Sequence, residues 1–124
     1  MMQALQDKTL TGYGDGSQTR SLGYGSDLVE GLSRLLLSGE TGPINIGSPE
    51  EVSVLQLANE IVELTESNSP IVFELLPVDA PRRRRPDITR AMAALAWHLR
   101  VSRREGIPRV IPYFQTQLEA QCAR

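Results

Sequence analysis

Residues 10–37 of the chain read LTGYGDGSQTRSLGYGSDLVEGLSRLLL. A short apolar run opens the stretch and predicts a strand at residues 9–13, and the five glycines between positions 12 and 25 are typical of turns. The apolar residues that follow have the spacing of one helix face, with Asp27 and Glu30 as a capping box and Gly39 as the stop. A strand, a turn and an amphipathic helix in this order indicate an α/β protein.

The next segment continues the same alternation. Residues 43–47 have the short apolar pattern of a buried strand. Ser53 and Gln56 have the spacing of a second capping box, which predicts an amphipathic helix that ends near Glu66. Residues 71–76 predict a further strand. The pattern from residue 26 onward is therefore helix, strand, helix, strand.

The C-terminal third is predicted to be helical, and residues 1–7 also favour a helix. Asp87 caps a short helix through Leu95, after a loop that contains three prolines. A terminal helix is predicted from an apolar stripe made of Ile107, Val110, Ile111, Phe114 and Leu118. Pro108 and Pro112 lie inside this stripe, and a proline in a helix interior costs about 3 kcal/mol.

Length and composition are those of one globular domain: 124 residues, 40% apolar and 23% charged. The chain has no apolar run of membrane-spanning length and no apolar leader near its start, which argues against a membrane partner and a Sec route. Cys122 has no second cysteine to pair with, and this favours the cytoplasm. His98 is the only histidine, so no metal-ligand set is present, and we expect it to be a solvated loop residue.

Charge is distributed unevenly along the chain. Residues 1–78 carry three basic and eleven acidic side chains, whereas residues 79–124 carry ten basic and four acidic ones. The run Arg82–Arg85 leaves three interpretations open: a solvated or salt-bridged loop, a small phosphate-ligand site, or a nucleic-acid contact. The chain has six aromatic residues and none in this run, which disfavours nucleic acid as a partner.

Two signatures of nicotinamide chemistry are missing from this sequence. The dinucleotide fingerprint G-x-G-x-x-G fails because Ser17 stands where its third glycine is needed. A Tyr-x-x-x-Lys pair is absent because Lys8 is the only lysine and Ala4 precedes it by four positions. We therefore expect no catalytic, cofactor-binding or metal residues in this chain.

Several short motifs together resemble a known family. In chain order they are Leu10-Thr-Gly-Tyr-Gly-Asp-Gly-Ser-Gln-Thr-Arg20, Tyr24-x-Ser-Asp27-Leu-Val-x-Gly31-Leu, Gly42-Pro-x-Asn45-Ile-Gly47-x-Pro49-Glu50-Glu51, Pro81-x-x-Arg84-x-Pro86-Asp87, Trp97, and Glu105-Gly106 with Tyr113-Phe114. Over residues 3–118 the chain resembles the UDP-glucuronate decarboxylases, which are members of the extended short-chain dehydrogenase/reductase (SDR; NAD-dependent epimerase/dehydratase) family.

The resemblance implies the fold and the activity. Residues 1–124 are expected to form a single truncated C-terminal nucleotide-sugar-binding segment of a Rossmann-type α/β fold, with the N-terminal dinucleotide-binding half missing. In that family NAD oxidises C4 of the glucuronate, CO2 is lost, and the retained NADH reduces C4 to give UDP-xylose. We expect this chain to bind no NAD alone and to be inactive alone.

The resemblance also implies the site. Arg20 and Arg84 would contact the diphosphate of UDP-glucuronate or UDP-xylose, for which two planar guanidinium groups are suited. Tyr13 and Gln18 would shape the nearby pocket. Asp27 matches a family position and is interpreted mainly as a helix cap. A full-length homologue is a further expected partner.

Other hypotheses remain open: a non-catalytic nucleotide-sugar-binding or docking module, a fragment of a related epimerase or dehydratase, and a marginally folded segment with no ligand. The chain also departs from the family pattern, with small or atypical residues at Gly12, Leu22 and Gly25 and with Ala96 where a helix-ending glycine is usual. Those departures, together with the two prolines of the terminal helix, suggest relaxed constraint on folding.

Overall fold

The computed structural model describes residues 1–75 and 82–122. Its elements are α1 (Met2–Leu5), β1 (Leu10–Tyr13), β2 (Thr19–Arg20), α2 (Gly25–Leu37), β3 (Val52–Ser53), α3 (Val54–Leu64), β4 (Ile71–Glu74), α4 (Thr89–Leu95) and α5 (Arg103–Cys122). Strand β1 pairs with β4 in parallel, and β2 pairs with β3 antiparallel. The predicted α/β class is confirmed.

Helix α3 begins where its local sequence signal predicts. The backbone N–H of Gln56 donates to Ser53 Oγ at 3.1 Å, and the backbone N–H of Ser53 donates to Gln56 Oε1 at 3.1 Å. This reciprocal capping box satisfies donors that a helix start leaves unpaired. The predicted second capping box is therefore confirmed.

Helix α5 forms over residues 103–122 although Pro108 and Pro112 lie inside it. Both prolines are on its exposed side, so water can reach the carbonyl groups that lose a helical partner, while Ile107 is buried. Its start is capped by Ser102 and Glu105, whose side chains bond each other's backbone N–H groups. The predicted stripe is confirmed.

The predicted strand at residues 43–47 is wrong. Ile44 and Ile46 pack against the hydrophobic core, which explains the apolar pattern. The backbone of this segment, however, pairs with no strand in the part of the chain that the structure describes. A short apolar run predicts that alternate side chains are buried, but it does not show whether a neighbouring strand is there to pair with the backbone.

The prediction that Asp27 caps α2 is also wrong. The helix begins at Gly25 with Tyr24 as its N-cap, so Asp27 lies in the first turn, and it is buried. Its Oδ2 accepts the backbone N–H groups of Arg100 at 3.1 Å and Val101 at 3.0 Å. The carboxylate binds the connection between α4 and α5, about seventy residues further along the chain, which local spacing cannot show.

Trp97 is the centre of the core and is 1% exposed. It packs with Ile88, Ala91 and Leu95, and the partly buried residues around this cluster are Leu35, Ile44, Ile46 and Leu99. Its Nε1–H donates to the carbonyl oxygen of Asp27 at 2.8 Å. A Cβ at Gly31 would lie only 3.0 Å from that nitrogen, so the close packing of α2 on Trp97 requires glycine there.

Helix α2 has two apolar faces where the sequence predicts one. Leu35 packs against the core, as predicted. Val29, Leu32 and Leu36, at the spacing of a single helix face, are 63%, 60% and 83% exposed. We call these three side chains the α2 outer stripe. Apolar periodicity predicts the helix correctly, but it does not predict which side is covered.

The glycine-rich turn after β1 is only partly explained by backbone conformation. Gly14 and Gly16 have φ of 72° and 79°, the left-handed region that favours glycine. Gly12 lies in β1, and a Cβ there or at Gly16 would lie 2.8 Å from the ring of Phe73. The ring of Phe73 therefore occupies the space that a larger residue at position 12 would fill.

Parts of the sequence predictions fall outside the described residues. They are Leu76 at the end of the predicted strand, the loop from Pro77 to Pro81, and the side chain of Cys122. Among the helices that the structure does describe, none combines the length and the apolar character needed to cross a bilayer.

Ala96 offers a direct test of backbone strain. It ends α4 with φ 48° and ψ 35°, a left-handed conformation that costs a non-glycine residue about 1–2 kcal/mol. We expect Ala96→Gly to stabilise the protein by about 1 kcal/mol in urea unfolding. Ala93→Gly, on the exposed side of the same helix, is the matched control and should lower stability by a similar amount. Equal effects of both substitutions would contradict the assignment of strain to Ala96.

Candidate nucleotide-sugar groove

An open groove of about 780 Å³ lies between the start of α2, the segment at residues 45–48 and the arginine-rich segment before α4. Its polar lining includes Ser21, Asn45, Ser48 and Asp87, and Leu28 contributes an apolar wall. An open groove of this size, lined mainly by polar and charged groups, has room for a polar small molecule.

The arginine segment supplies the positive charge of the groove. Arg83, Arg84 and Arg85 all line it. Arg83 forms an ion pair with Glu51, with Nη2 2.9 Å from Oε2 and Nε 3.2 Å from Oε1. Within residues 1–75 and 82–122 the structure records no ion pair for Arg84 or Arg85, and both are exposed. Two cationic side chains are thus available to an anionic ligand.

Glu51 holds the arginine segment against the β2–β3 pair. Its Oε1 also accepts the hydroxyl of Thr19 at 2.8 Å, and the backbone N–H of Thr19 donates to the carbonyl oxygen of Arg82 at 2.8 Å. The hydrogen bonds from Arg83 and then from Thr19 lower the pKa of Glu51 to about 2. The carboxylate is therefore ionised throughout the neutral pH range.

Arg20 lies on β2 beside this arrangement. Its backbone pairs with Val52, and its Nη1 donates to the carbonyl oxygen of Thr19 at 2.7 Å. The next residue, Ser21, lines the groove. The strand that carries Arg20 and the segment that carries Arg84 are joined by the backbone bond between Thr19 and Arg82, so the structure brings the two chain segments together.

Tyr13 and Gln18 lie elsewhere. The side-chain amide of Gln18 donates to the carbonyl oxygen of Tyr13, and the backbone carbonyl oxygen of Gln18 accepts the backbone N–H of Val54 at 2.9 Å. Gln18 is buried at 6% exposure, while Tyr13 is half exposed. In the described part of the chain, neither lines the groove. Gln18 connects the end of β1 to the start of α3, and the role of both residues in a pocket stays a prediction.

Sequence reasoning missed Glu51 as a functional candidate. It is separated from Arg83 by 32 residues, and no local spacing relates the two. The only signal was its place in the motif Pro49-Glu50-Glu51, which contributed to the family resemblance. Asn45 and Ser48 were missed for the same reason. Both lie within the motif at residues 42–51, Ser48 at an unspecified position of it, and only the fold shows that they line the groove.

Metal ligands do not converge in the described residues: no group of three or more His, Cys, Asp or Glu side chains is placed to hold an ion. His98 is exposed and lies between α4 and α5, as predicted. The described residues that line the groove offer guanidinium, hydroxyl, amide and carboxylate groups to a ligand.

Curated relatives match almost the whole chain. It is 46% identical over 121 residues to UDP-glucuronic acid decarboxylase 1 of Danio rerio, which is 98% of this chain and 29% of that enzyme. It is 44% identical over 116 residues to UDP-glucuronic acid decarboxylase 2 of Arabidopsis thaliana, which is 94% of this chain and 26% of that enzyme. The chain resembles one segment of the UDP-glucuronic acid decarboxylases. No protein-family model matches it.

Solved structures confirm the fold class. A UDP-glucose 4-epimerase of Thermotoga maritima, solved with UDP-glucose, has a TM-score of 0.90 at 26% identity over 94% of this chain and 38% of its own. A UDP-glucuronic acid 4-epimerase of Bacillus cereus, solved with UDP-glucuronic acid and NAD, has a TM-score of 0.86 at 28% identity, with the same coverage. The structural neighbours are extended SDR epimerases. The chain spans about a quarter to two fifths of the length of these proteins.

Among the described residues, the glycine-rich turn does not have the geometry that binds NAD. A dinucleotide pyrophosphate is bound where a glycine-rich turn leads from a strand into a helix N-terminus. Here the turn with Gly14 and Gly16 leads from β1 into the short strand β2 instead. The ring of Phe73 lies against Gly16, where close approach of a pyrophosphate would need open space. NAD is present in the neighbouring structures, such as that of the Bacillus cereus epimerase.

The ionisation of Glu51 predicts a pH dependence of stability. Because its pKa is lowered from 4.5 to about 2 in the folded protein, its stabilising contribution is complete above about pH 4.5 and declines as the pH falls toward 2. We expect Glu51→Gln to be less stable than the parent in urea at about pH 6, with a smaller difference at about pH 3. A difference that does not change with pH would contradict this account.

Proposed function

We propose that this chain is a nucleotide-sugar-binding segment that holds the diphosphate of a UDP-sugar, with UDP-glucuronate and UDP-xylose as the candidates. The observation that carries the proposal is Arg84, exposed on the groove and without an ion pair among the described residues, beside the strand that bears Arg20. Guanidinium groups bind phosphate oxygens through two parallel hydrogen bonds. The similarity to UDP-glucuronic acid decarboxylases supports the choice of ligand.

The uneven charge of the groove supports a diphosphate over a neutral sugar as the anchoring group. Glu51 neutralises Arg83 and Asp87 lies in the field of Arg85, which leaves Arg84 as the cation that faces the negative phosphates of a ligand. The hydroxyl and amide groups of Ser21 and Asn45 line the same groove and are suited to hydrogen bonds with sugar or base oxygens. The diphosphate would thus supply affinity and the neutral polar groups would supply orientation.

We do not propose that this chain alone catalyses decarboxylation. Its sequence has no Tyr-x-x-x-Lys pair, and its glycine turn does not fit NAD. In the relatives the complete reaction would draw on the remaining length, which this chain does not match. We infer that the segment contributes binding and contributes no proton or hydride transfer.

A thermal melt with and without millimolar UDP, UDP-glucuronate and UDP-xylose tests the proposal, because a ligand that binds the folded state raises the midpoint. We expect all three to raise it, and isothermal titration to show about tenfold weaker UDP binding for Arg84→Ala.

Arg104→Ala is the matched control, since Arg104 lies on α5 and lines a different cavity. Its UDP affinity should equal that of the parent. A cooperative melt that UDP compounds do not shift, or equal losses for both variants, would contradict the proposal.

A docking function is the second candidate, and the α2 outer stripe supports it. Val29, Leu32 and Leu36 leave an apolar row open on a helix whose other face is packed. The occupant we propose is the remaining α/β part of a full-length homologue. Leu32→Glu should abolish co-purification with such a partner and leave the melting midpoint unchanged. Unaltered co-purification would reject this surface.

A further inference from the structure

The contact between Glu51 and the arginine segment differs from an ordinary surface ion pair. The side chain of Glu51 keeps only 15% of its accessible surface, whereas that of Arg83 keeps 77%. A carboxylate this buried needs partners for its oxygens. It has three hydrogen bonds, two from Arg83 in a fork and one from Thr19. Exposed pairs commonly contribute little to stability, but a bidentate pair on a mostly buried acceptor is held in one geometry.

The same segment is fixed at a second point. The carbonyl oxygen of Arg82 accepts the backbone N–H of Thr19 in β2, and the side chain of Arg83 bonds to Glu51, which directly precedes β3. Arg84 follows immediately. These two contacts therefore limit where the backbone of Arg84 can lie, and its own side chain has no ion pair in the described part of the chain.

We propose that Glu51 is a positioning residue of the groove: its carboxylate holds Arg83 and thereby places Arg84 at the rim, where a diphosphate would meet it. This inference rests on the proposed function for its ligand, and it assigns the role to a side chain that does not itself line the groove. The carboxylate acts through the arginine segment.

Glu50 provides a matched control one residue away. Its carboxylate points to a different element and pairs with Arg103 at the start of α5, with Nη2 3.3 Å from Oε1. Removing its charge changes the net charge of the loop by the same amount as removing that of Glu51. Only the Glu51 substitution releases the arginine segment.

The first readout needs no ligand. Trypsin cleaves after arginine when the backbone can open locally, so the rate of cleavage after Arg82, Arg83 and Arg84 reports how firmly the segment is held. We expect Glu51→Gln to accelerate cleavage there by about fivefold or more, and Glu50→Gln to leave the rate unchanged. Equal rates in the parent and both variants would overturn the inference, whatever the outcome with UDP.

The second readout is UDP affinity by isothermal titration. Glu51→Gln should weaken it by about fivefold to tenfold, and Glu50→Gln should not. Reversing the pair in Glu51→Arg with Arg83→Glu should restore most of the affinity. Tighter UDP binding by Glu51→Gln would overturn the inference, because Arg83 would then be a ligand-binding residue that Glu51 restrains.

The two proposals fail in different ways. If the parent chain does not bind UDP, the proposed function fails, while the trypsin comparison still decides whether Glu51 positions the segment. If the parent binds UDP and Glu51→Gln binds it equally well, the positioning role fails and the function stands.

Discussion

The fold depends on the hydrogen bonds that join the segment around Asp27 to the segment around Trp97. The indole N–H of Trp97 donates to the carbonyl oxygen of Asp27, and the Asp27 carboxylate accepts two backbone N–H groups from residues 100 and 101. These bonds fix the first turn of α2 to the connection between α4 and α5; the bond from Trp97 is buried, and the two bonds to the carboxylate are partly buried. Buried polar groups need partners, so removing either residue would leave several groups unsatisfied. Gly31 completes this contact by letting α2 approach the indole.

The groove follows from this connection. One wall is formed by Leu28, in the first turns of α2, and the opposite side is formed by the arginine segment that leads into α4. Because Trp97 and Asp27 hold α2 next to the end of α4, the two sides of the groove have a fixed separation. Glu51 then sets the arginine segment within that frame. The site is thus built from contacts between residues far apart in the sequence.

The features that could be predicted from the sequence are those that depend on residues close to one another in the chain. The capping box of Ser53 and Gln56 and the stripe of α5 were predicted correctly, because spacings of three and four residues are the geometry of a helix. Arg84 was proposed from a motif, and the structure places it on the groove. Ile44 and Ile46 were misassigned to a strand, because burial of alternate residues does not require a paired neighbour.

The remaining errors share one physical cause. Asp27 is a residue type common at helix starts and has the spacing of a capping box. Its carboxylate oxygen instead accepts hydrogen bonds from backbone N–H groups that the tertiary fold brings to it. Glu51 gave no local signal for the same reason. The α2 outer stripe is the opposite case. Its apolar spacing predicts a buried helix face, but the described part of the chain leaves that face exposed. Gly12 departs from the family pattern, and the ring of Phe73 fills the space that a larger residue there would occupy.

The central claim is that a UDP-sugar binds in the groove beside Arg84. The most direct measurement is a titration of ¹⁵N-labelled protein with UDP-glucuronate, followed through the backbone amide signals. The account predicts concentration-dependent shifts at Ser21, Asn45, Ser48 and Arg84, with the amides in the middle of α3 unchanged. Shifts confined to α3 or to the α2 outer stripe, or no shifts in a well-dispersed spectrum, would contradict it.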